Sequence, residues 1–218
     1  DPYGTSAIYT SYVMNYSATA IDARGMLLMG GYKWELMPYA EIAQGHNSAI
    51  TDHKGRSFVV YHTRSTIGHE GHEVRVHQLF LNQDGWIMAA PYEFSGETIT
   101  NDDIASKASI PDSEIPGNYQ FMRHEYNQNT KNLAYETPVD IELTADGKIT
   151  GSATGTWTRT AGTDFISLTI GGVVYKGVLA RQTIDYSDIP ALCISACSSS
   201  SGSLTLGQKT FTYQQNIR

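Results

Sequence analysis

Small and apolar positions alternate with polar ones in short runs along this chain, and the clearest rhythm starts at Gly45-His46-Asn47-Ser48-Ala49-Ile50-Thr51-Asp52. Its small side chains suit a strand packed close to its neighbours, and Asp52-His53-Lys54-Gly55 ends it with turn residues. Apolar, β-branched runs over 57–62 and 73–81 predict the next two strands. Asn82-Gln83-Asp84-Gly85 predicts a hairpin turn before a fourth strand, Trp86-Ile87-Met88-Ala89-Ala90, which Pro91 stops. Four antiparallel strands in sequence order, the smallest residues first, are the plan of one propeller blade, with His46 at the mouth of the axis.

Upstream, apolar runs over 7–13 and 26–29 flank the turn signal Asp22-Ala23-Arg24-Gly25 and predict strands with an irregular connection. Downstream, the polar stretch 95–116 carries Asp102, Asp103, Asp112 and Glu114, ends in Pro116-Gly117 and predicts a domain boundary. Beyond it, alternating runs over 118–124, 139–144, 148–157, 165–170, 173–180 and 209–213 predict a meander closing into a small barrel. Asp146-Gly147 and Gly171-Gly172 supply two-residue hairpin turns, and the serine run 198–203 predicts a flexible connection. The pattern is therefore all-β, with blade strands over 1–94, a linker over 95–116 and a barrel domain over 117–218.

Length and composition allow this: 218 residues with 40% hydrophobic content can bury a sizeable core. A net charge of −7 withholds the basic face that nucleic-acid phosphates require, so a neutral or weakly polar partner fits better. No apolar run approaches the roughly 20 residues of a membrane-spanning helix. The chain opens on Asp1, which reads as a processed or trimmed chain. Cys193 and Cys197, four apart, either close a small loop as a disulfide in an oxidising compartment or stay as thiols; two are too few for a structural zinc site.

Few residues suggest chemistry by themselves. His69-Glu70-Gly71-His72-Glu73 spaces its histidines three apart in a glycine-bearing loop, whereas the zinc-protease pattern needs them four apart on a helix. His62 and His77 fall on neighbouring strands, where hydrogen-bonded sheet histidines are the simplest reading. Tyr32 and Trp34 read as packing residues before they read as a sugar platform.

Taken together, Gly45-His46-Asn47-Ser48, Tyr61-His62-Thr63-Arg64, His72-Glu73-Val74-Arg75-Val76, Asp84-Gly85-Trp86 and Ala90-Pro91-Tyr92 resemble the last blade of the endo-1,5-α-L-arabinanases of glycoside hydrolase family 43. Gly4 to Tyr12 and Leu28 to Tyr32 resemble the stretch just upstream in that family. Ile141 to Ile149 and Tyr175 to Ala180 resemble the β-barrel domain that follows its propeller.

The resemblance implies the closing part of a five-bladed β-propeller followed by a small β-barrel. It also implies a secreted or periplasmic enzyme that cuts arabinan or arabino-oligosaccharides at α-1,5 bonds with inversion. Inversion needs an acid and a base roughly 6.5 to 9.5 Å apart, with a water between. In the family these carboxylates precede the position matching Asp1, so no catalytic residue is assigned here and an N-terminal propeller segment, as a second chain, is the expected partner. His46 matches the histidine facing a central calcium, largely hydrated because calcium prefers oxygen ligands; plugging the channel or binding substrate are its other readings. Asn47 is a weaker candidate, since alternation along a strand turns its side chain the other way. A non-catalytic carbohydrate-binding protein of the same fold is the alternative.

Overall fold

The computed structural model describes residues 26–67, 71–125, 135–199 and 202–209 in full, and the backbone of 9–10, 13–14, 128–129 and 132–133. The turn predicted at 22–25, most of the strands predicted over 7–13 and 209–213, and His69 and Glu70 lie outside the described residues.

Two short strands, β1 (Tyr9–Thr10) and β2 (Val13–Met14), pair antiparallel. An antiparallel sheet follows, in the order β3 (Glu41–Thr51), β4 (Ser57–Ser65), β5 (His72–Leu81), β6 (Ile87–Ala89). Its turns form where the sequence predicts them. Asp52 accepts from the backbone of Lys54 and Arg56 and pairs with the Arg56 guanidinium at 2.6 Å. Asn82 Oδ1 accepts from the backbone of Asp84 and Trp86, across a glycine at φ +80.

The stretch 95–116 is largely exposed but anchored at three isoleucines. It carries a short helix, α1 (Asn101–Ser106), whose Thr100 and Asp103 form a reciprocal capping box, and a 3-10 turn, Asp112–Glu114. Ile104, Ile110 and Ile115 are buried.

The barrel follows: β7 (Gly117–Arg123), a side ladder of β8 (Gln128–Asn129) and β9 (Asn132–Leu133), β10 (Val139–Leu143), β11 (Lys148–Gly151), β12 (Gly155–Arg159), β13 (Phe165–Ile170), β14 (Val173–Thr183), β15 (Pro190–Ser198) and β16 (Gly202–Gln208). Strands β10 to β16 pair in order, and β16 returns to β7 to close an eight-stranded antiparallel barrel. Closure leaves this sheet without an edge. Ile141, Leu143, Ile166, Leu168, Tyr175 and Leu206 lie in its filled interior.

Three expectations change here. The single strand expected over 148–157 folds back as the β11–β12 hairpin, because Gly151 turns the chain at φ +96. The ladder of β15 and β16 reaches Ser198↔Gly202, inside the serine run expected to be a flexible connection. Cys193 and Cys197 are free buried thiols on β15, not a closed loop. Four residues of strand separate them by about 13 Å, well past the roughly 7 Å limit between the Cα atoms of a disulfide.

The sheet docks on the outside of the barrel. Phe80, Met88, Ala90 and Ile104 pack with Val178, Ala180 and Cys197. Tyr32, Trp34, Met37 and Tyr92 pack with Ile184, Ile189, Ala191 and Cys193. Tyr32 and Trp34 are each 1% exposed, so they are packing residues.

Candidate functional site

Strand β3 lies at one edge of its sheet and bulges twice. Between Ile42↔Arg64 and Gly45↔His62, and again between Gly45↔His62 and Ser48↔Val60, it carries one residue more than its partner. Each bulge holds a non-glycine residue in the left-handed region, Ala43 at φ +54 and His46 at φ +50. Such residues are uncommon, with histidine better tolerated there than most, and bulges re-aim the side chains they carry. Alternation is therefore broken where the sequence places its candidate residue, and both His46 and Asn47 are exposed.

His46 is the first of three imidazoles in a row across β3, β4 and β5. Its ring meets His62 edge-on, with centroids 6.3 Å apart, and His62 stacks on His72 at 4.8 Å with planes 8° apart. His62 Nδ1 and Nε2 are both shielded from solvent and have no hydrogen-bond partner among the described residues. The expectation that His62 is a satisfied sheet histidine therefore fails. It holds for His77, whose Nδ1 donates to Ala90 O at 2.8 Å and whose Nε2 lies 3.4 Å from the Tyr32 hydroxyl. Burial pushes the His77 pKa down to about 4, so it is neutral.

A second polar centre joins sheet to barrel, and the sequence pattern did not single it out. Glu41, 2% exposed, receives Arg75 Nε at 2.7 Å and the hydroxyls of Tyr32 and Tyr61 at 3.3 and 3.5 Å. Burial raises the Glu41 pKa and Arg75 opposes the rise. Arg75 also binds Glu73 and the Tyr186 hydroxyl, and the Tyr186 hydroxyl donates to that of Tyr39 at 3.0 Å. Asp185, in the β14–β15 connection, accepts from Glu93 N at 2.8 Å, and burial pushes its pKa up to about 7. The available signal was a charge at a strand start and another inside an apolar strand, Glu41 and Arg75, which only tertiary pairing explains.

Among the described residues no three His, Cys, Asp or Glu side chains converge on a point that could hold a metal ion. The imidazole row has an exposed ring at each end, His46 at a bulge and His72, with the half-buried His62 between them. It does not by itself supply the oxygen shell that calcium prefers.

The architecture is thus an eight-stranded antiparallel barrel with a four-stranded antiparallel sheet docked on it, the sheet carrying the imidazole row. The GH43_C family model, described as the C-terminal lipocalin-like domain, matches residues 91–207, and the chain belongs to that family. It is 37% identical over 167 residues to the extracellular endo-α-(1→5)-L-arabinanase 2 of Bacillus subtilis, covering 75% of this chain and 33% of that protein. It is 36% identical over 175 residues to the extracellular endo-α-(1→5)-L-arabinanase of Thermotoga petrophila, covering 76% and 35%. Among solved structures, the glycoside hydrolase family 43 YxiA protein from Bacillus licheniformis superposes with a TM-score of 0.77 at 32% identity, over 91% of this chain and 42% of that one. The chain thus spans about a third of the length of the curated relatives it matches. Among the described residues no helix is long and apolar enough to cross a membrane.

Proposed function

We propose that this chain is the closing part of a secreted arabinan-degrading glycoside hydrolase that cuts α-1,5-L-arabinofuranosidic bonds with inversion. The sheet β3–β6 is the last blade of a five-bladed propeller, and the barrel braces it. The acid and the base lie on an N-terminal segment outside these 218 residues, so this chain alone is inactive. Similarity to two extracellular arabinanases supports the substrate, the reaction and the location.

The observation that carries the reading is the imidazole row. His46 stands exposed at a left-handed bulge on an edge strand, beside a His62 ring whose shielded nitrogens have no partner among the described residues. Buried polar groups of this kind are rare in finished structures, so the site is one that other groups complete. His46 would be one ligand of a central calcium, with water or the completing segment providing the oxygens. Such a cation, when bound, would help hold neighbouring carboxylate charges and pKa values apart. The contribution of this chain is to hold the His46 imidazole in place: the bulge sets its direction and the His62–His72 stack backs it.

The test is to produce this chain with the N-terminal segment of a family 43 arabinanase, as one polypeptide or two, and assay it on linear arabinan. Hydrolysis is expected from the pair and not from the chain alone, with an inverted anomer as the first product by NMR. His46→Ala should lower the pair's rate by about 10- to 100-fold, the loss typical of disturbing a metal site. Arabinan bound but not cut by every active-site-complete pairing would replace the hydrolase reading with a binding module.

A further inference from the structure

An open cleft of about 580 Å³ lies between the 33–35 stretch, the 135–140 stretch and the residue following β16. Its size falls within the range of small-molecule sites. Its walls are fixed by bonds already made. Lys33 N donates to Glu136 O at 2.9 Å and Glu136 N to Gly31 O at 2.8 Å, tying the two stretches side by side. The buried Gln120 grips Glu35, donating from Nε2 to Oε2 at 2.6 Å and accepting from the Glu35 backbone at 3.5 Å. Lys209 Nζ stands 2.6 Å from Asp140 Oδ1 and 3.8 Å from Glu35 Oε2.

Two properties follow for whatever enters. The lining holds two ammonium groups, Lys33 and Lys209, and two carboxylates, Glu35 and Asp140, so it carries no net charge and selects neither an anion nor a cation. It also presents an apolar surface, with Tyr135 39% and Val139 45% exposed. A tyrosine ring offers a flat apolar face to one side and a polar tip to the other. A ligand matching both is uncharged, has an apolar face, and carries many groups that donate to carboxylates and accept from ammonium. That is a polyol ring.

We propose that this cleft binds a neutral saccharide chain, one ring stacked on Tyr135 and its hydroxyls shared among Lys209, Asp140 and Glu35. It would hold polymer on the barrel, at a surface built from residues other than the imidazole row. The inference rests on the proposed function only for the identity of the sugar.

The test is titration of the full isotope-labelled chain with arabinotriose, xylotriose and an anionic heparin-derived oligosaccharide, followed by amide shifts. Arabinotriose should move amides in 33–35 and 135–140. Tyr135→Ala should weaken it at least 10-fold while Tyr135→Phe keeps it, with an otherwise unchanged spectrum showing that both fold. Asp140→Ala, at a side chain 70% exposed, is the second variant and should weaken binding several-fold. Xylotriose binding there without arabinotriose would uphold a neutral-saccharide site and overturn only arabinan as its ligand. Shifts confined elsewhere, no binding by either triose, equal binding by wild type and the alanine variants, or tighter binding of the anionic sugar would overturn the proposal. No hydrolysis enters the assay, so it fails or succeeds independently of activity.

Discussion

Asp185 is half-buried where sheet meets barrel, with the carboxylates of Glu41 and Glu93 and the guanidinium of Arg75 acting on it. Burial, helped by those carboxylates, sets its folded pKa at about 7, against about 3.9 for an aspartate in an unfolded chain. The folded chain therefore holds a proton that the unfolded chain gives up. The stability from this group is fully present below about pH 4 and is lost as pH rises through 7. Urea unfolding at about pH 5.5 and 8 should show the wild type losing on the order of 1 kcal/mol more than Asp185→Asn, after allowing for partial solvation. The cysteines give a second residue-scale expectation. Burial raises both thiol pKa values, that of Cys197 to about 11, which keeps them protonated and slow to react. Two thiols should titrate in denaturant and almost none without it, and a reductant should leave the melting temperature unchanged. A single mass loss of two hydrogens in the intact chain would restore the disulfide expectation.

At the scale of elements, the ion pair of Glu41 on β3 with Arg75 on β5 is costly to form, since both charges largely leave water. Arg75→Met should cost about 3 kcal/mol, because Glu41 then stays buried without its cation; Arg75→Lys should recover part of it. Equal stability of Arg75→Met and wild type in urea would mean that Glu41 takes up a proton instead. The same elements show what was legible beforehand. Strands that bury one face, such as β13 with Ile166, Leu168 and Ile170 inward, announce themselves by alternation. Strand β15 does not: Leu192, Ile194 and Ala196 face the barrel interior while Ala191, Cys193 and Cys197 pack against the docked segments, so both faces are apolar and no period appears. His46 was legible as a residue, but its bulge was not. Ala43 and His46 take left-handed conformations that a sequence does not announce at non-glycine positions, and Gly45 between them is not the residue that turns.

The whole molecule is asymmetric in how its sheets end. The barrel closes through β16 and β7 and fills its interior, whereas the four-stranded sheet ends in two edge strands, β3 and β6. Ile50, Val74, Trp86 and Ile87 around that sheet are 59%, 66%, 47% and 49% exposed. Unpaired edges and exposed apolar surface are what isolated domains avoid, and stability within one chain need not be uniform. Opening should therefore be easiest at β3 and its partner β4, and hardest in β13 to β15. Hydrogen exchange of the chain alone should show β3 and β4 amides exchanging at least 10-fold faster than those of the barrel strands. Adding the proposed N-terminal segment should slow β3 and β4 toward the barrel rate and leave the barrel unchanged, because only the sheet gains neighbours. If β3 and the barrel exchange alike without the segment, the sheet is already complete and the last-blade assignment loses its physical basis. Slowing confined to the barrel would instead place the partner on the barrel wall, and the propeller would have to close without β3.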